Sequence, residues 1–212
     1  MNRTEKMLRA KAHLLEKFKK MVPRIDPTRK RLPPGQHMAQ GFPVLDIGVH
    51  PQFDAATYRF RVTGEVENPM DLSWDDFTAL PKAEQVSDFH CVTTWSKFDV
   101  RWGGMKFSAL LEMVRPTAKA AHVIQECTDG YTTNLPLAEM LGDDVILAYE
   151  LDGEPLPVEH GGPLRVIVPH LYGWKSSKFV TSLVFQEHDS KGYWETRGYH
   201  NHADPWKEER FG

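Results

Sequence analysis

Downstream of residue 57 the apolar residues come in short runs, each soon closed by proline, glycine or a cluster of acids. Such a pattern selects short strands and short helices, and it does not repeat as the regular strand–helix–strand alternation of a parallel α/β sheet. Tyr58, Phe60 and Val62 alternate with Arg59, Arg61 and Thr63, which marks a half-buried strand, and Gly64 marks a bulge or turn before Val66. Ser73 is placed to cap a short helix over 74–80, with Asp75 and Asp76 in its first turn and Pro81 just past its end. A strand over 85–89 runs straight into His90 and Cys91, and Ser108 opens a second short helix that ends at Val114 ahead of Pro116. Further strands are predicted over 122–127, 145–151, 164–168 and 178–186, with a short helix over 137–141 and hairpin signals at Asp152-Gly153. The fold class is therefore α+β. The longest apolar runs, such as 164–169, are far too short for a membrane-spanning helix.

The first part of the chain reads differently. Residues 1–31 hold eleven Lys and Arg against three acids, so an arm near +8 precedes a body near −11. Met7, Leu14, Phe18 and Met21 fall at helical spacing, which predicts a basic amphipathic helical arm over 1–31 ahead of a catalytic domain over 32–212. A basic arm invites nucleic acid or anionic lipid. The apolar stripe favours the plainer alternative, a helix docked on the acidic body. The tryptophans are not interleaved with basic residues, so no nucleic-acid partner is expected. The arm lacks a continuous apolar segment and a small-residue cleavage site, which predicts a cytoplasmic protein. Residues 23–51, with six prolines, read as an extended segment wrapped over a surface.

Two cysteines can make neither a disulfide framework nor a four-thiolate zinc site. Cys91 opens a polar loop, and His90 and Lys97 nearby predict a lowered thiol pKa and a reactive or metal-binding thiolate. The bland alternative is a small buried hydrophobe, which suits Cys127 at the end of its apolar strand. Composition does not separate the two. His160 precedes two glycines that let backbone approach a ligand, and Arg165 could offer a planar fork to a phosphate. Taken singly, a solvated loop histidine and a strand-edge cation are the plainer readings. In Tyr172–Lys178, Lys175 and Lys178 flank Ser176 and Ser177 and could cradle an anion, although the spacing is not that of a P-loop. His200-Asn201-His202 beside Asp204 has no accompanying metal pattern and reads as a solvated tail.

Together these stretches resemble the molybdopterin domain of the sulfite oxidase family. The resemblance is carried by Asp88-Phe89-His90-Cys91-Val92-Thr93-Thr94-Trp95-Ser96, by Arg101-Trp102-Gly103-Gly104, and by the run from Tyr149 to Pro157. It continues through His160-Gly161-Gly162-Pro163-Leu164-Arg165 and Pro169-His170-Leu171-Tyr172-Gly173-Trp174-Lys175 to Gly192-Tyr193-Trp194. Among subgroups the chain is similar to the short bacterial members related to the catalytic subunit of the periplasmic methionine sulfoxide reductase. The resemblance implies a molybdenum–molybdopterin cofactor and no nucleotide, with Cys91 as the metal ligand. It also implies pterin and phosphate contacts from His160, Arg165, Ser176, Ser177 and Lys178, and a further cofactor contact near Thr128. The chemistry implied is oxygen-atom transfer to or from a small sulfur- or nitrogen-oxide substrate, with electrons exchanged with a separate partner. Two departures stand out. The loop after Cys91 holds only Lys97 where sulfite-oxidising members are basic, and Phe42-Pro43-Val44 stands where the reductase relatives carry an asparagine pair. Two other classes remain open at this stage: a metal-free thiol enzyme using Cys91 with a histidine base, and a cofactor-storing or partner-binding protein.

Overall fold

A computed structural model describes residues 30–212; the expected helical arm falls, up to residue 29, outside the described residues. Strands β2 (Arg59–Gly64), β3 (Met70–Ser73), β6 (His122–Cys127), β7 (Thr132–Pro136) and β11 (Val180–Gln186) form one sheet in the order β3-β2-β11-β6-β7. The other sheet runs β1 (His37–Met38), β5 (Trp95–Lys106), β8 (Ile146–Leu151), β10 (Arg165–Ile167), with β4 (Ala83–His90) also paired to β5 and β9 (Glu154–Pro155) to β8. Helices α1 (Trp74–Thr78) and α2 (Phe107–Val114) and several single 3₁₀ turns complete an α+β architecture. No helix among the described residues is long and apolar enough to cross a membrane.

Local chemistry explains most boundaries. Ser73 caps α1 as expected, and Asp76 returns the favour to the Ser73 amide in a capping box. The second helix differs from expectation. It begins at Phe107, with Ser108 inside the first turn and no side-chain cap, and Arg115 in the left-handed region closes it. Gly64 has φ +85°, and a Cβ there would collide with the Phe185 carbonyl on the paired strand, so the expected turn needs glycine. The largest departure is β5. A polar loop was expected around residues 90–97, yet twelve residues from Trp95 form the central strand of the sheet. Its signal lies in the alternation of buried Val100 and Trp102 with exposed Asp99 and Arg101.

Strand alternation also divides the interior. Met105, Leu147 and Val166 face one way into the main core, which they share with Phe60, Val62, Leu183, Phe185 and α2. Trp102, Ile146, Ala148 and Ile167 face the other way, joining Phe89, Cys91 and Trp95 in a second cluster. Because β8 and β10 are buried on both faces, they read as nearly unbroken apolar runs. The proline-rich segment over 30–51 carries only the two-residue β1 and passes over the second cluster, where Phe42 and Ala39 pack. The C-terminal residues do not trail off as a solvated tail. Ala203 and Asp204 are buried, and Tyr199 pairs with Phe211. Two bonds from His202, 3.1 Å to Glu139 and 2.7 Å to Glu209, secure the segment.

Candidate active site

Cys91 follows β4 and begins a tight turn into β5. Its amide donates to the Trp95 carbonyl at 2.8 Å, and Thr94, at φ +75°, completes the turn with its amide 3.1 Å from the Cys91 carbonyl. A turn tied on both sides leaves the Cys91 side chain facing a cavity of about 300 Å³. Phe89, Trp95, Trp174, Trp194, Tyr131 and Tyr199 supply aromatic wall, while His160, Arg165, Lys178, Asp46 and Asp129 supply the charged and polar groups.

The lowered thiol pKa expected for Cys91 is not what the fold produces. Burial pushes the thiol up, and hydrogen bonds from Thr93 together with the charges of Arg210 and Lys178 only partly oppose it. The Thr93 hydroxyl lies 3.1 Å from Sγ. His90 cannot activate the thiol in the way its neighbouring position suggests. Its Nδ1 engages the Ser96 hydroxyl at 2.8 Å, and burial brings its pKa down to about 4, so the ring is neutral. Lys97 lies over the Phe42 ring, 5.8 Å from its centre. Cys127 packs against the main core and burial pushes its thiol far up, as befits a packing residue.

Arg165 is no strand-edge cation. It sits on the cavity face of β10, 2% exposed, with its guanidinium carbon 5.3 Å from the ring centres of both Phe89 and Trp102. Nη1 donates to the His160 carbonyl at 2.7 Å and Nη2 to the Ser176 carbonyl at 3.0 Å, while the buried Nε has no partner. Burial alone pulls its pKa down to about 9, with no carboxylate opposing the shift. A buried cation with neutral partners and a spare donor is costly unless an anion joins it.

Lys178 is the second cation at this cavity. Its Nζ donates to the Glu159 carbonyl at 2.6 Å and stands 3.9 Å from Asp46, and burial with the Arg165 charge lowers its pKa to about 8. Gly161, at φ +107°, lets Lys178 pass, since a Cβ there would stand 2.7 Å from Lys178 Cγ. His160 is half-buried and stacks on Phe42 with ring centres 4.5 Å apart, and burial followed by the charges of Arg165 and Lys178 keeps it neutral more readily than a free imidazole.

The other residues singled out from the sequence lie elsewhere. Ser176 and Ser177 are buried beside the site, with the Ser176 hydroxyl accepting from the Val168 amide at 2.9 Å and the Ser177 hydroxyl bound to Gln125. Thr128 donates to the Phe179 carbonyl at 3.2 Å and lines a different cavity, with Arg59, Tyr58 and Pro163. Lys175 is fully buried on Glu195 at 2.6 Å, so of the two lysines in that turn only Lys178 faces the cavity. Phe42, Asp46, Tyr131 and Tyr199 were not expected as wall residues. Only the proline-rich stretch hinted at the first two, and nothing local marks the others.

A cavity that pairs a thiol with two cations, one holding an unpartnered donor, and with broad aromatic walls suits a flat, phosphate-bearing cofactor bound to a soft metal. That test is met by the donor set itself. The model of the oxidoreductase molybdopterin-binding domain matches residues 47–194, and the chain belongs to that family. It is similar to the uncharacterized oxidoreductase YuiH of Bacillus subtilis, 42% identical over 85% of this chain and 92% of that one. It is also similar to the catalytic subunit MsrP of the Campylobacter jejuni protein-methionine-sulfoxide reductase, 28% identical over 71% of this chain and 56% of the relative. Mouse mitochondrial sulfite oxidase is 28% identical over 79% of this chain and 37% of its own length. The chain thus spans nearly all of the first relative but only about half or less of the other two. In fold it matches the sulfane dehydrogenase SoxCD of Paracoccus pantotrophus, with a TM-score of 0.61, 21% identity, and coverage of 70% of this chain and 42% of that one. The resemblance read from the motifs therefore holds: this is a molybdopterin-dependent oxidoreductase of the sulfite oxidase type, and its cofactor is molybdenum–molybdopterin.

Proposed function

We propose that the chain transfers an oxygen atom to or from a small sulfur- or nitrogen-oxide substrate at the Cys91 cavity and exchanges electrons with a separate protein partner. The cofactor supplies a metal that alternates between two oxidation states two electrons apart, so that reduction of an oxide consumes two electrons and two protons and releases water. The chain's own residues bind and orient that group. Cys91 offers the thiolate ligand, and coordination would overcome the burial that otherwise keeps the thiol protonated. Arg165 and Lys178, which line the cavity, would hold the phosphate, and His160, braced by Phe42, would hold the pterin.

The observation that carries this reading is the buried Arg165 cation, answered by no carboxylate, in the wall of the cavity that Cys91 faces. The loop that follows Cys91 carries one cation, Lys97, over the Phe42 ring at the cavity wall, fewer than the resemblance implies for a sulfite-oxidising site. A cytoplasmic location belongs to the same proposal, and cell fractionation checks it. Purified protein is expected to hold molybdenum in a one-to-one ratio, and Cys91→Ser to change the electron paramagnetic resonance signal of the one-electron-reduced metal. Protein made in molybdate-replete cells yet free of molybdenum and pterin would defeat the reading and favour a thiol enzyme. Metal that no oxide substrate ever reoxidises would favour storage.

A further inference from the structure

The Cys91 turn is held by two segments outside the stretch that matches the family model, residues 47–194. From the N-terminal side, Gln36 donates through Nε2 to the Cys91 carbonyl at 3.0 Å, and its Oε1 accepts from the Ser96 hydroxyl at 3.4 Å. From the C-terminal side, Arg210 donates through Nη1 to the next carbonyl, that of Val92. The chain reaches back because Glu208, at φ +54°, ends the 3₁₀ turn over Pro205–Lys207 in the left-handed region. The Arg210 carbonyl then accepts from the His200 amide at 3.1 Å, which fixes the returning strand.

The Arg210 side chain is 15% exposed, and its nearest carboxylate, Glu208, stands 4.0 Å from Nη2. Its guanidinium carbon lies 5.0 Å from the centre of the Tyr172 ring. A hydrogen bond from a cation to a backbone carbonyl is stronger than a neutral one, so Arg210 holds the peptide after Cys91 more firmly than any neutral side chain would. The same charge beside a thiolate ligand favours the more electron-rich state of whatever metal that thiolate holds. The Lys178 ammonium is differently placed, already engaged by Glu159 and Asp46.

We propose that Arg210 is a positioning residue for Cys91, clamping the turn through the Val92 carbonyl and raising the potential at which the bound metal accepts an electron. The proposal rests on Cys91 being the metal ligand. It is tested on the full chain, purified with its cofactor, as wild type, Arg210→Met, Arg210→Lys and Arg210→Gln. Each preparation is titrated with mediating dyes that donate one electron at a time, and the paramagnetic intermediate is followed by electron paramagnetic resonance. The midpoint is expected to shift negative in Arg210→Met and to recover by at least half in Arg210→Lys. An unshifted Arg210→Met midpoint overturns the proposal, as does an Arg210→Lys midpoint displaced as far as that of Arg210→Met. If Arg210→Met fails to retain metal, Arg210→Gln takes its place under the same criteria. Amide exchange at residues 92–94 is expected to rise roughly tenfold in the neutral variants, the loss of one charge-assisted bond, and unchanged exchange overturns the clamp. Cys91→Ser separates the two claims. A paramagnetic signal in that variant identical to wild type defeats the assignment of Cys91, whereas an altered signal beside an unshifted Arg210→Met midpoint defeats only the role of Arg210.

Discussion

Two buried cations on neighbouring stretches of this chain have opposite surroundings. Lys175 is fully buried, but Glu195 answers it at 2.6 Å, and that carboxylate also accepts from the Thr133 hydroxyl at 2.9 Å and the Trp174 indole at 3.1 Å. Arg165 is almost as buried, but it meets only carbonyls and aromatic faces, with no carboxylate to answer it. The first region is electrically closed and belongs to the fold. The second is open by one negative charge and belongs to a ligand. Proximity in sequence and identity of charge say nothing about this difference; the carboxylate does.

The comparison can be broken at either end. Lys175→Met strands Glu195 in the interior and should cost about 3–5 kcal/mol of stability, read by denaturant unfolding. A loss under about 1 kcal/mol would mean that the pair is not closed as described. Arg165→Met should cost less, about 1–2 kcal/mol, because it removes a desolvated charge as well as two hydrogen bonds. Its larger effect should be on cofactor retention, reduced about a hundredfold in pterin and metal assays. Lys178→Ala should weaken retention about tenfold, the share of a single charge-assisted contact. Retention unchanged in both variants would move the phosphate away from this wall.

The smallest expected effect is on pH dependence, at the segment that carries Arg210. Hydrogen bonds to Glu139 and Glu209, outweighing burial, raise the pKa of His202 above 6.5, so its contribution to stability is complete below that value and fades as pH rises through the raised pKa. Glu139 is held near 2 by His170 and His202 against its burial, so its contribution holds above about 4.5 and is lost as pH falls toward 2. His170 Nε2 at 2.8 Å from Glu139, and His200 at 3.4 Å from Glu209, complete the cluster. His202→Ala should flatten the alkaline limb and lower Tm by no more than about 2 °C, because the ring is partly exposed. A wild-type melting profile that stays flat above neutral pH would count against the cluster.

Much of the fold was legible locally. The strand over His122–Cys127, the Ser73 cap, the 137–141 turn and the Gly64 turn follow from alternation, capping chemistry and backbone freedom, which act over a few residues. The strand β5 was harder, because its glycine pair and charged positions resemble a loop until its two neighbours pair with it. At the site, the motifs bring Cys91, His160, Arg165 and Lys178 to mind together, and the fold does place these four around one cavity. It places Thr128 at another and closes Lys175 on Glu195.

By itself, then, the sequence determined the succession of short strands and helices, the α+β class and the family, since each is written in residue order and spacing. Only the tertiary structure decided that the Cys91 thiol is raised and not lowered, that Arg165 is an open charge, and that Arg210 reaches Val92 across 118 residues. Those properties depend on desolvation and on which partner stands within hydrogen-bonding distance. Neither is fixed until distant segments have packed.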